Sequence, residues 1–195
     1  MTSTLAQAAA PPRMPAFDHT PRAYHGPSRA EVLASREPRG DTTVLTGSRA
    51  GVAAVLAAVD GTGCAHLATH GSFRADKPLF SHLRLADGPL TVYDLSGLHR
   101  PPALLILSAC DSGLSAVHPG DELQGLSAAM LGLGTRAVVA SLGPVRDVAT
   151  RALMVDLHRH LSRGSAPAAA LAAAQASLDP SDASTAGSFV CLGAG

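Results

Sequence analysis

Two stretches of this chain are apolar almost without interruption for the length of a strand: Ala103-Leu104-Leu105-Ile106-Leu107-Ser108-Ala109 and, with Arg136 before it, Ala137-Val138-Val139-Ala140-Ser141-Leu142. Alternation of apolar and polar residues marks a strand with one wet face, so continuous runs belong to strands covered on both faces, as in parallel sheets. Each run is succeeded by apolar residues at helical spacing. Leu123, Leu126, Met130 and Leu131 precede Gly132-Leu133-Gly134, and Leu153, Met154, Leu157 and Leu161 precede Gly164. Strands alternating with helices predict an α/β fold: a mostly parallel central sheet with helices on both faces.

The rest of the chain fills in that plan. Thr42 to Leu45 reads as a strand, and Ser48 is placed to cap a helix carrying Val52, Val55, Leu56 and Val59 that stops at Gly61. Ala65-His66-Leu67-Ala68-Thr69-His70-Gly71 is the next strand and its exit, leading into an irregular stretch over residues 72–81. Leu83 to Ala86, the turn pair Asp87-Gly88, and Leu90 to Tyr93 read as a hairpin decorating the sheet. Asp147 is placed to cap the helix that ends at Gly164, Ser165 to Leu178 supply one more helix, and Phe189 to Leu192 a last strand. Residues 1–25, rich in Ala and Pro without periodicity, read as a disordered arm before a single domain over residues 26–195.

Composition narrows the function classes. Fifteen basic and fifteen acidic residues cancel, which removes the electrostatic footprint of a nucleic-acid binder. No stretch reaches the roughly 18 apolar residues of a membrane span, and Ala6 to Ala10 lacks the basic flank of a secretory signal. Three cysteines without a paired CxxC arrangement are read as free thiols in a reducing, cytoplasmic setting. The partner expected is a protein or peptide.

His70 and Cys110 each stand just past an apolar strand. Neighbouring parallel strands deliver the residues beyond them to one edge of the sheet, the carboxyl edge, where such folds keep their sites. A thiol and an imidazole meeting there are the minimum for nucleophilic thiol chemistry, since the imidazole can take the thiol proton and return it to a leaving group. His66, inside its strand, is read as a hydrogen-bonded core histidine. Cys64, His66 and His70 invite a metal reading, but on a strand Cys64 and His70 stand about 20 Å apart, while zinc ligands lie about 2.0 to 2.3 Å from one ion; no metal is expected. Gly132-Leu133-Gly134 closes a helix instead of opening one, so it is read as a cap and not as a phosphate loop. Asp121, Glu122 and Asp147 fall at helix starts or loops on the carboxyl edge. They are candidate substrate-binding acids for an Arg or Lys side chain, with helix capping as the competing role.

Four blocks, in order, resemble the CHAT domain family, a caspase-like cysteine peptidase domain related in fold to caspases, separases and gingipains: His66-Leu67-Ala68-Thr69-His70-Gly71, Leu107-Ser108-Ala109-Cys110-Asp111-Ser112-Gly113, Gly120 to Leu126, and Ala137 to Leu142. The resemblance implies a three-layer caspase-like sandwich. It also implies endopeptidase activity on protein substrates without a metal or organic cofactor, with His70 as general acid/base and Cys110 as nucleophile. The backbone N–H groups of Gly71 and Cys110 are then the expected oxyanion donors. The family domain commonly accompanies a sensor module, so activation by a regulatory sensor protein in trans is expected. Two other readings share the fold: a catalytically silent CHAT-like interaction module, and an α/β domain binding a small ligand at the same edge.

Overall fold

A computed structural model describes residues 31–35, 42–72, 81–108, 121–142, 145 and 147–194. Its centre is a six-stranded sheet built from β1 (Glu31–Ser35), β2 (Thr42–Thr46), β3 (Cys64–Ala68), β7 (Leu104–Leu107), β8 (Ala137–Ser141) and β9 (Phe189–Gly193), in the order β2-β1-β3-β7-β8-β9. β3, β7 and β8 pair in parallel, while β1 runs antiparallel to both β2 and β3, and β9 antiparallel to β8. Four strands, β2, β3, β7 and β8, therefore share one direction. The two expected apolar runs, β7 and β8, are neighbouring interior strands of the sheet.

The period-2 geometry of these strands divides the core into two layers. On one face Leu67, Leu105, Leu107, Val138 and Ala140 meet Val55 and Val59 of α1 (Val52–Val59), Val92 and Leu95 of α2 (Val92–Ser96), and Leu126 and Met130 of α3 (Asp121–Leu133). On the other, Cys64, Leu104, Ile106, Ala137 and Val139 meet Leu153 and Leu157 of α4 (Asp147–Ser162) and Ala170, Leu171 and Ala174 of α5 (Pro167–Ala176). Helices cover both faces, giving the three-layer sandwich of a caspase-like fold. A short α6 (Ala183–Ser188) leads into β9.

Helix ends obey the expected chemistry in part. Gly134 adopts a φ of +110°, and the Gly134 and Thr135 N–H groups donate to the carbonyls of Leu131 and Met130 at 3.0 Å each. That is a Schellman cap, the helix-closing role read for Gly132-Leu133-Gly134. Ser48, in contrast, does not cap α1. It lies in a 3-10 turn over Gly47–Arg49, and the Val52 N–H instead donates to Asp87 Oδ1 at 2.8 Å. The cap comes from the turn of the hairpin, which no local pattern reveals.

A second, three-stranded sheet of β4 (Gly71–Ser72), β5 (His82–Arg84) and β6 (Pro89–Thr91) contains that hairpin. Its second arm is shorter than expected. Val92 and Tyr93 open α2, because Thr91 and Asp94 form a capping box: the Asp94 N–H donates to Thr91 Oγ1 at 3.1 Å and the Thr91 N–H to Asp94 Oδ2 at 2.8 Å. The turn is also earlier. The Leu85 N–H donates to the Gly88 carbonyl at 2.9 Å, so Ala86 and Asp87, rather than Asp87-Gly88, sit at its tip. The Ala86 N–H donates to the Ala50 carbonyl at 3.0 Å, which fastens the turn to the start of α1.

Candidate functional site

The register of the central sheet fixes where the candidate residues begin. Leu67 pairs with Leu107, and Leu107 with Ala140. The Ser108 N–H then donates to the Leu67 carbonyl at 3.1 Å, carrying the parallel ladder one step beyond β7. In sequence, His70 and Cys110 lie equally far beyond the Leu67–Leu107 pair. His70, half-buried, is among the described residues; Cys110 lies outside them.

The small sheet holds the chain as it leaves β3. The His70 carbonyl accepts the Arg84 N–H at 2.8 Å, and Thr69 Oγ1 donates to the Arg84 carbonyl. Gly71 pairs with Leu83 and is buried. In an antiparallel ladder hydrogen-bonded and non-hydrogen-bonded pairs alternate. With His70 bonded to Arg84, the Gly71 N–H turns away from β5.

Among the candidate acids, Asp121 and Glu122 are the first residues of α3, and Asp147 is the first of α4. These helices come after β7 and β8, so both begin on the carboxyl-edge side of the sheet. The side chains of all three acids lie outside the described residues, as do residues 109–120.

His66 is where the sequence reading stops short. It is a buried, hydrogen-bonded histidine, as expected, but its partners could not be named from sequence. His66 Nδ1 lies 2.9 Å from His158 Nε2, and His66 Nε2 lies 2.8 Å from Ser108 Oγ. Alternation places His66 and Ser108 on the same sheet face as Cys64 and Ile106, the face covered by α4. His158 stands on α4 among Met154, Leu157 and Leu161, within its apolar stripe. A histidine in that stripe is the signal the sequence offers for it.

Burial sets the charge states. Removal from water pushes His66 down to about 4 from an ordinary 6.5 and holds His158 well below the same value, with the neighbouring His66 adding to that effect. Both rings are neutral at pH 7. Burial also pushes the Cys64 thiol up to about 12 and raises that of Cys191. Neither thiol has the electropositive surroundings of a reactive cysteine. Among the described residues no three His, Cys, Asp or Glu side chains gather as a metal site, and no helix is long and apolar enough to cross a membrane.

None of the curated proteins matches this chain. The family model of the CHAT domain matches residues 6–193, reaching into the stretch read from composition as an arm. That match spans nearly the whole chain and agrees with the caspase-like sandwich and with the four sequence blocks, and by it the chain belongs to the CHAT domain family.

Proposed function

We propose that the chain is a cysteine endopeptidase that cleaves protein substrates through a His70–Cys110 dyad and is switched on by a regulatory partner. The observation that carries this reading is the parallel pairing of β3 with β7 through Leu67 and Leu107, because it sends the two chain segments that bear His70 and Cys110 toward one edge. In this reading His70 takes the Cys110 thiol proton, and the thiolate adds to the carbonyl carbon of the scissile peptide. The N–H groups of Gly71 and Cys110 stabilise the oxyanion; such donors are worth about 10²- to 10³-fold in rate each. His70 then protonates the departing amine, and water hydrolyses the thioester. Asp121, Glu122 or Asp147 binds a basic side chain before the cleaved bond. No metal or organic cofactor takes part.

The test is hydrolysis of a diverse peptide library by the purified protein together with a candidate activator, or by the protein alone if it needs none. Cys110→Ala and His70→Ala should each abolish cleavage while the circular dichroism spectrum stays native. Cleavage that persists in Cys110→Ala would overturn the assignment.

A further inference from the structure

His158, His66 and Ser108 lie in the layer between the sheet and α4, whose buried residues include Cys64, Leu104, Ile106, Val139, Leu153 and Leu157. His158, His66 and Ser108 are each 5 to 6% exposed and connected end to end by contacts of 2.9 and 2.8 Å. Polar groups cost free energy in such a layer unless they are hydrogen-bonded, and apolar side chains would fill the same space without that condition. The polar line adds direction. A hydrogen bond fixes orientation where dispersion contacts tolerate sliding.

The line joins three elements at one level. His66 is on β3, Ser108 comes directly after β7, and His158 is on α4. Between two neutral imidazoles one nitrogen must donate and the other accept. If His66 Nδ1–H donates to His158, then His66 Nε2 accepts the Ser108 hydroxyl proton; if His158 Nε2–H donates, His66 Nε2–H donates to Ser108 Oγ. The tautomer chosen at α4 therefore sets the direction of the hydroxyl at the end of β7. The connectivity is that of a nucleophile, a base and an orienting group, but a hydroxyl of a residue 5% exposed is withheld from substrate. Its use is internal.

We propose that His158, His66 and Ser108 are positioning residues that fix the carboxyl ends of β3 and β7 against each other and against α4, and so set the approach of His70 to Cys110. This rests on the dyad reading above. Main chain and side chain act together at Ser108, whose N–H is bound to Leu67 and whose hydroxyl is bound to His66. A displacement of about 1 Å in such an arrangement can cost about 10²-fold in rate.

The experiment measures carboxamidomethylation of Cys110 by iodoacetamide at pH 7, tracked on the Cys110 peptide by mass spectrometry, in the full chain and in its urea-unfolded form. The folded wild type should react about tenfold faster than the unfolded chain, since a placed imidazole raises the thiolate population. Ser108→Ala and His158→Leu should stay folded by circular dichroism and lose that acceleration. His158→Gln, which sets an amide nitrogen where Nε2 stands, should keep it. If His158→Leu unfolds, Ser108→Ala alone decides. Wild-type rates in Ser108→Ala, with His70→Ala slowed, would overturn the positioning role and leave the dyad standing. A wild-type rate in His70→Ala would overturn the dyad and this proposal with it, and unfolding of Ser108→Ala would reduce the line to a structural brace and overturn the proposal.

Discussion

His66 Nδ1 and His158 Nε2 stand 2.9 Å apart with their ring centroids 5.0 Å apart and their planes tilted by 33°. Such a contact holds only while one facing nitrogen is unprotonated, so the pair cannot carry two charges without breaking. It also joins β3 to α4 in the middle of an apolar layer, which makes protonation a matter of stability.

The first prediction is a loss of stability in mild acid. At pH values above 6.5, the ordinary imidazole value, both rings are neutral in the folded and unfolded chain, and the pair adds no pH dependence. As the pH falls below 6.5 the unfolded chain takes up protons that the folded chain refuses. Stability therefore falls with pH, down to about 4, where His66 itself protonates. Each tenfold difference in proton affinity is worth about 1.4 kcal/mol. Urea unfolding at a series of pH values should show this slope between pH 6.5 and 4, and His158→Gln should reduce it. A wild-type curve flat across that range would contradict the neutral buried pair.

A second prediction concerns the cap that the hairpin lends to α1. Asp87→Ala removes the acceptor of the Val52 N–H and should cost about 1 kcal/mol, in the range of other N-cap losses. Gly51 is tied to the same contact. A Cβ there would meet Asp87 Oδ2 at 2.6 Å, so Gly51→Ala should destabilise the wild type but cost less in the Asp87→Ala background. Thermal unfolding of the four proteins gives the coupling directly; additive effects would show that the contact is not shared.

Gly193 supports a third. Its φ is +94°, and a Cβ would lie 2.4 Å from the Arg136 carbonyl oxygen and 2.8 Å from Leu131 Cδ2. Backbone strain and overlap with a neighbouring segment's backbone act together, so Gly193→Ala should cost roughly 2 to 5 kcal/mol. Gly187, with nothing within 4 Å of its Cβ position, is the control: Gly187→Ala should leave the denaturant midpoint nearly unchanged. Equal midpoints for the two variants would refute the account.

Residues whose environment is local or periodic are legible in the sequence. The apolar runs of β7 and β8, the stripe of α3 and the cap at Gly134 all express spacing that a single segment carries. β1 carries no such signal: Glu31 to Ser35 is short and does not alternate, even though Gly26-Pro27-Ser28 and Pro38-Arg39-Gly40 bracket it, and its place between β2 and β3 is set by pairing partners rather than by its own pattern. The Asp87 cap and the His66–His158 contact are hidden for the same reason, since each joins residues far apart in sequence. At the candidate site, the strand exit bearing His70 and Gly71 is implied by the parallel register that the apolar runs require. The hydrogen bonds that secure that exit to Arg84 belong to the pairing of β4 with β5, a contact between separate segments that neither segment's own pattern carries.

The last prediction concerns specificity. Asp121, Glu122 and Asp147 open α3 and α4 on the carboxyl-edge side of the sheet, and the chain as a whole is neutral, with only 15% charged residues. A carboxylate turned into a substrate pocket is costly unless a cation pairs with it, and a helix N-terminus, which favours anions, supplies only part of that stabilisation. A substrate Arg or Lys supplies the rest, so cleavage should occur after a basic residue. The three carboxylates separate by substitution: Asp121→Asn, Glu122→Gln and Asp147→Asn keep size and capping ability while removing charge. The variant that touches the pocket should lose the preference for basic residues, with a fall in kcat/KM for basic peptides of about 10²-fold and little change for neutral ones. A helix-capping role would instead leave the order of substrates intact in these variants, and replacement of the same residue by Ala would lower thermal stability. If the wild type cuts after neutral or acidic residues, all three acids are caps or hydrogen-bonding groups and the pocket proposal is wrong.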